Sequence, residues 1–233
     1  MNEVYHVRGL LVDKNSKAIS YMQENKLEEA AKLFEEIITE HPEDPVGYIN
    51  FGNLLQHVQE YDRAITFYEK AIKLDENAAT AYYGLGGIYY ERSMAEKAQK
   101  SFQKAIDLGL NEADVFYMLG MTFQKQSQYK LSLPYLQRAS ELDEDDEEIL
   151  FQYGLSLAQV DEINMAKAVF HQVIDLNDQH SDAHYNLGVI ALYQEEPEVS
   201  LNHFNAALAA QPDHLLAVNG KKKVEEFLEK YDG

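Results

Sequence analysis

The sequence predicts an all-α fold, an α-solenoid of six antiparallel helix pairs of 34 residues each, closed by a C-terminal capping helix. Three observations predict it. Gly52, Gly86, Gly120, Gly154 and Gly188 stand 34 residues apart without a slip. Apolar residues keep a fixed register around each glycine at helical spacing. Extended one period back, that register fills residues 11–214 with no insertion.

Each unit reads as two helices. Tyr82, Leu85, Gly86 and Tyr89 mark one face of a first helix, and Ala98, Phe102 and Ala105 one face of a second. A polar turn, Arg92-Ser93-Met94, separates them, and a second break such as Leu74-Asp75-Glu76-Asn77 ends the unit. The glycine lets the two helices approach, because a Cβ there would hold them apart. The alanines do the same on the second helix, with Phe102 and its equivalents Tyr68, Leu136, Phe170 and Phe204 filling the space beside them. The units run 11–44, 45–78, 79–112, 113–146, 147–180 and 181–214. One pair cannot bury its apolar faces alone, so neighbours stack.

The ends differ from the middle. The first unit matches through Ala18, Tyr21, Ala30, Phe34, Ile37 and Pro42. It carries Lys14 and Lys17 where later units are aromatic or apolar, as an uncovered end should. Residues 215–233 read as a capping helix and tail, with Leu216, Val218, Val224, Phe227 and Leu228 facing inward and Lys221, Lys222 and Glu225 solvated. Residues 1–10 are an extension outside the repeat.

At these offsets the chain resembles the tetratricopeptide repeat family, whose pattern places an aromatic, Leu-Gly, Tyr, Ala, Phe, Ala and Pro in this order. The resemblance implies a right-handed superhelix whose inner wall is lined by the first helix of each pair. It also implies a protein-interaction scaffold like the short stand-alone bacterial members.

Composition narrows the partner. There are 40 acidic and 20 basic side chains, a net charge of -20. Such a surface repels phosphate backbones and anionic membranes, so neither nucleic acid nor membrane is the expected partner. The absence of cysteine excludes disulfides, thiolate metal sites and a cysteine nucleophile. A start without a secretory pattern and the lack of a membrane-length apolar run lead to a cytoplasmic expectation.

Catalytic motifs are missing, so neither an enzyme nor a cofactor is expected. No His-Glu-x-x-His, phosphate loop ending in Gly-Lys-Ser/Thr or Gly-x-Ser-x-Gly occurs. Gly84-Leu85-Gly86-Gly87 sits inside a first helix with no strand before it and reads as packing. His180 and His184 have the four-residue spacing of a helical metal pair. His180 falls in a turn and His184 replaces a packing aromatic, so no metal site is expected. The run Asp143 to Glu148 lacks the spaced ligands and glycine of a calcium loop. It reads as a solvated turn leading into a helix N-terminus.

By the resemblance, residues three before the glycine, one after it and four after it face the groove. The partner-binding candidates are Ile49, Asn53, Tyr83, Tyr90, Tyr117, Met121, Gln124, Phe151, Leu155, Tyr185 and Val189, with Asn50 and Asn186 able to bond an extended backbone. Gly87, Gln56, Ala158 and Leu192 complete the register. A subset of the family grips C-terminal carboxylates with Lys and Arg on this wall. The matching Ile49, Asn53, Tyr83 and Tyr117 include no basic residue, so that function is not carried over. Glu91, Asp114, Glu148 and Asp182 form a candidate acidic rim, and the expected partner is a basic or amphipathic protein segment. The alternative is a structural module that self-assembles through the groove or the chain ends.

Overall fold

The computed structural model describes residues 14–231. The extension at 1–10, residues 11–13 of the first unit and the last two residues lie outside the described residues. Two compact units divide the chain, the first ending at Asn111 and the second beginning at Glu112. The first holds α1 (residues 14–23), α2 (Leu27–Glu40), α3 (Pro45–His57), α4 (Tyr61–Leu74), α5 (Ala79–Glu91) and α6 (Ala95–Asp107). The second holds α7 (Ala113–Gln124), α8 (Tyr129–Leu142), α9 (Glu147–Gln159), α10 (Ile163–Leu176), α11 (Ser181–Tyr193), α12 (Pro197–Ala210) and α13 (Leu215–Tyr231). No strand occurs among the described residues.

In the first unit α3 packs on α4 and α5 on α6, with α2 against α3 and α4 against α5. In the second, α7–α8, α9–α10 and α11–α12 are the pairs, joined by α8 on α9 and α10 on α11. The glycines act as their register requires. A Cβ on Gly52 would stand 2.7 Å from the Tyr68 ring, on Gly86 2.6 Å from Phe102, and on Gly154 and Gly188 2.7 Å from Phe170 and Phe204. Each of these rings is fully buried in its hairpin.

The turn inside each hairpin places one residue in the left-handed region: Asn25, Gln59, Ser93, Ser127, Asp161 and Glu195, at φ 55–67°. These positions are again 34 apart, and none is glycine. First helices are capped by side chains in several units. Asp44 accepts from the Val46 N–H at 3.0 Å, and Asp146 from those of Glu148 and Ile149 at 2.9 and 3.0 Å. In the last two positions of the same register a histidine takes this role. His180 Nδ1 accepts from Ala183 N–H at 3.2 Å and His214 Nδ1 from Ala217 N–H at 3.1 Å.

The capping helix corrects the expected inward set. Ala217, Val224 and Leu228 face Phe204 and Ala207, and Gly220 gives the Phe204 ring room, since a Cβ would meet it at 2.7 Å. Leu216, Val218 and Phe227 are exposed. Side chains on a helix share a face at three- and four-residue steps. Val224 and Leu228 fit one face with Ala217 and Gly220, whereas Leu216 and Phe227 lie on another.

Candidate functional site

In the first unit the candidate face is carried by α3 and α5. Ile49 is buried at 9% exposure and belongs to the core. Asn50 Nδ2 donates to Asn15 Oδ1 at 2.9 Å and so ties α3 to α1. Asn53 is exposed, and its Oδ1 accepts from the Tyr68 hydroxyl at 2.7 Å. The same hydroxyl lies 2.8 Å from Gln56 Oε1.

Both amide oxygens therefore turn toward one phenol. The Gln56 amide nitrogen lies over Gly87, where a Cβ would come within 2.9 Å. Gly84 gives the Tyr68 ring its passage, because a Cβ there would strike it. Burial, reinforced by nearby Tyr83, pushes the Tyr68 phenol above its ordinary pKa, so it stays a donor. Tyr83 is half-buried with its ring 5.8 Å from that of Phe102. Tyr90 is half-buried too, and burial followed by the Glu91 charge raises its pKa.

In the second unit the face belongs to α7, α9 and α11. Tyr117 is half-buried and its hydroxyl donates to Glu148 Oε1 at 3.4 Å, while Gln152 Nε2 donates to the same oxygen at 2.8 Å. Met121 and Leu155 are half-buried. Gln124 is drawn inward: its Nε2 donates to the Gln152 carbonyl at 2.8 Å and to Ser156 Oγ at 2.9 Å. Ser156 Oγ in turn is 2.7 Å from Ser132 Oγ. Phe151 is buried at 8% exposure, against Phe170 and the His180 ring at 4.7 Å. Tyr185 keeps an open edge over Phe204 and His214, with ring centroids 5.9 and 5.2 Å away. Asn186 Nδ2 donates to the Asp182 carbonyl at 2.8 Å, and Val189 is 41% exposed.

The acidic candidates divide. Asp114, Glu148 and Asp182 lie in the first turns of α7, α9 and α11, where the helix dipole favours them. Asp182 Oδ1 also accepts from Nε2 of buried His214 at 3.0 Å. Glu91 is the last residue of α5, at the opposite end of a first helix, and belongs to a different run.

The Tyr68 network and one histidine pair lie outside the residues that the repeat pattern singles out. His180 caps α11, while His184 meets His203 of α12, Nδ1 to Nδ1, at 3.3 Å. The ring of His171, on α10, is 6.0 Å from that of His203. Burial, then His184, His171 and Lys167, pushes His203 down to about 4. Among the described residues, no three His, Cys, Asp or Glu side chains are placed to hold one metal ion. The available signal was departure from register. Tyr68 stands where other units carry Phe or Leu, and His184 and His203 stand where the preceding unit has Leu150 and Val169.

Comparison with known proteins places this geometry. Models of the tetratricopeptide repeat match residues 17–44, 79–108, 113–146 and 163–214, and a TPR repeat model matches 52–93. No curated protein matches the chain. Among solved structures, YrrB, described as a TPR protein with an unusual peptide-binding site, is 46% identical. That match covers 82% of this chain and 99% of YrrB, with a TM-score of 0.78. Pseudomonas aeruginosa pilF shares the fold at 16% identity, covering 91% of this chain and 97% of its own with a TM-score of 0.78. MamA does so at 21% identity, 72% and 92% coverage, and a TM-score of 0.66. Near-complete coverage of YrrB at this identity, with repeat models matched along most of the chain, shows that the chain belongs to the tetratricopeptide repeat family.

Proposed function

We propose that the chain is a scaffold that binds extended protein segments on first-helix faces, those of α3 and α5 in one unit and, separately, those of α7, α9 and α11 in the other. Proteins of this family are in general interaction scaffolds. The observation that carries the reading here is the set of half-buried tyrosines, Tyr83, Tyr117 and Tyr185, which recur on first helices alongside exposed Asn53 and Val189. Ile49 and Phe151 support this face from beneath. A ring anchored on the core with one edge open offers contact area at little entropic cost. Asn53, exposed on this face, adds a polar group that suits an extended main chain, whereas the Asn50 and Asn186 amides already donate within the chain. Similarity to YrrB, a protein described by its peptide-binding site, supports the same use.

The partner segment is basic or amphipathic. Its support is the net charge of -20 and the carboxylates of Asp114, Glu148 and Asp182. Opposite charge speeds encounter, and salt screens it within about 8 Å at physiological ionic strength. A captured partner segment, measured by stopped flow, should associate more slowly as salt rises from low to physiological. An association rate indifferent to salt would remove the charge argument, and capture undiminished by Tyr83→Ala with Tyr185→Ala would remove the face.

Self-assembly through the chain end is the second reading. It is favoured by one feature, the exposure of Leu215, Leu216, Val218 and Phe227 on α13. A concentration-dependent dimer lost in Leu216→Ser with Phe227→Ser would support it; a monomer at all concentrations would exclude it.

A further inference from the structure

We propose that His184 and His203 form a binding site for a divalent transition-metal ion that favours nitrogen ligands, with Zn2+ as its type. The two imidazoles come from consecutive helices of one hairpin, α11 and α12, and face each other through Nδ1 at 3.3 Å. In a tetrahedral zinc site each imidazole nitrogen stands about 2.0–2.1 Å from the ion, which sets two such nitrogens about 3.3 Å apart. The observed separation is that bite.

His184 is oriented as a ligand would be. Its Nε2 lies 3.2 Å from the Asp178 carbonyl oxygen, which can only accept, so Nε2 carries the proton and Nδ1 presents a lone pair. A metal-ligating histidine typically donates its other ring N–H to such a carbonyl or carboxylate. Without an ion, His203 Nδ1 donates its proton to His184 Nδ1. With an ion, that proton moves to His203 Nε2 through solvent, and both Nδ1 lone pairs turn to the metal with no change in the charge of either ring.

At this register the other hairpins carry Tyr48 with Phe67, whose rings pack at 6.1 Å, Tyr82 with Ser101, Phe116 with Tyr135, and Leu150 with Val169, which are both buried in the core; none of these pairs offers two ligating nitrogens. Histidine at both members on facing helices brings together two imidazole nitrogens, the donor type that suits zinc. His171 remains outside the primary pair as the structure places it. Lys167 on α10 is turned to Gln194 Oε1 at 2.6 Å and Glu196 Oε2 at 3.5 Å. The ion thus has two protein ligands, and solvent fills the remaining positions.

The test uses the full, tag-free chain after chelator treatment, dialysed against Zn2+ and, separately, Mg2+. One zinc per chain is expected, with no magnesium uptake and with zinc-dependent shifts of the His184 and His203 imidazole resonances. The double variant His184→Leu with His203→Val copies the Leu150 and Val169 pair, so it should keep its helical circular dichroism and lose the zinc. His171→Gln takes the residue found at Gln103 and Gln137 and should keep the zinc. No zinc uptake by the wild type, uptake undiminished in the folded double variant, equal uptake of magnesium, or complete loss in His171→Gln would each overturn the proposal.

Discussion

The Tyr68 hydroxyl donates to Asn53 Oδ1 at 2.7 Å, so a fully buried ring on a second helix sets the direction of an exposed amide on the first. Three other positions cooperate in this arrangement. Gly84 clears the ring, Gln56 shares the hydroxyl, and Gly87 leaves space for the Gln56 amide.

Tyr68→Phe should keep the fold, because Phe occupies the same register in α2, α6, α10 and α12. A loss of about 1 kcal/mol is expected from the hydrogen bond. Partner binding should weaken several-fold, and Asn53→Ala added to it should cost little more, since both changes act on one interaction. Additive losses in that double-mutant cycle would show that Tyr68 does not act through Asn53. The buried phenol also has a pH signature. Its pKa lies above 10 in the fold, so the unfolded chain releases this proton first as pH rises. Stability should therefore fall as pH climbs past 10, and less steeply in Tyr68→Phe, as alkaline melting curves would record.

Tyr117 and Phe151 occupy equivalent positions and should separate binding from stability. Tyr117→Ala should weaken partner binding by about 2 kcal/mol, as a hot spot does, with a small change in thermal midpoint. Phe151→Ala empties a site packed by Phe170 and His180 and should cost about 3 kcal/mol or more in stability. Calorimetry of folding and binding on both variants distinguishes them; equal destabilisation would place Tyr117 in the core as well.

The hairpin turns carry removable strain. Gln59 and Glu195 hold φ of 61° and 60° with side chains that disfavour it. Left-handed backbone costs a non-glycine residue about 1–2 kcal/mol, against which glycine loses about 0.4–1 kcal/mol through the freer unfolded chain. Gln59→Gly and Glu195→Gly should each stabilise by up to about 1 kcal/mol. A lowered denaturation midpoint would mean that these side chains contribute contacts worth more than the strain.

Removing residues 215–233 should uncover Phe204 and Ala207, which Ala217, Val224 and Leu228 cover. Burial of each large side chain is worth about 1.5–3 kcal/mol, and coupling in a repeat array runs mainly between neighbours. Hydrogen exchange should therefore quicken in α11 and α12 while α7 and α8 keep their protection. Uniform loss, or none, would deny α13 its capping role.

The helix pairs follow from the sequence alone, because the 34-residue register repeats a packing rule: Gly52 must face Tyr68, Gly86 Phe102 and Gly154 Phe170, or the helices cannot close. Turn positions were legible for the same reason. The capping face is legible in part: Val224 and Leu228 face inward as the apolar pattern predicts, and Ala217 and Val224 continue the register of Ala183 and Ile190, whereas Leu216, Val218 and Phe227 are exposed because size alone does not set helical phase. How side chains on different helices divide between core and surface depends instead on packing between helices. Ile49 and Phe151 share a register with Tyr83 and Tyr117, yet they are buried more deeply, because burial depends on the neighbouring rings and caps as well as on helical phase. The pairing of Tyr68 with Asn53 and of His184 with His203 lies 15 and 19 residues apart along the chain. A hydrogen bond depends on distances of a few tenths of an ångström, which periodicity alone does not specify.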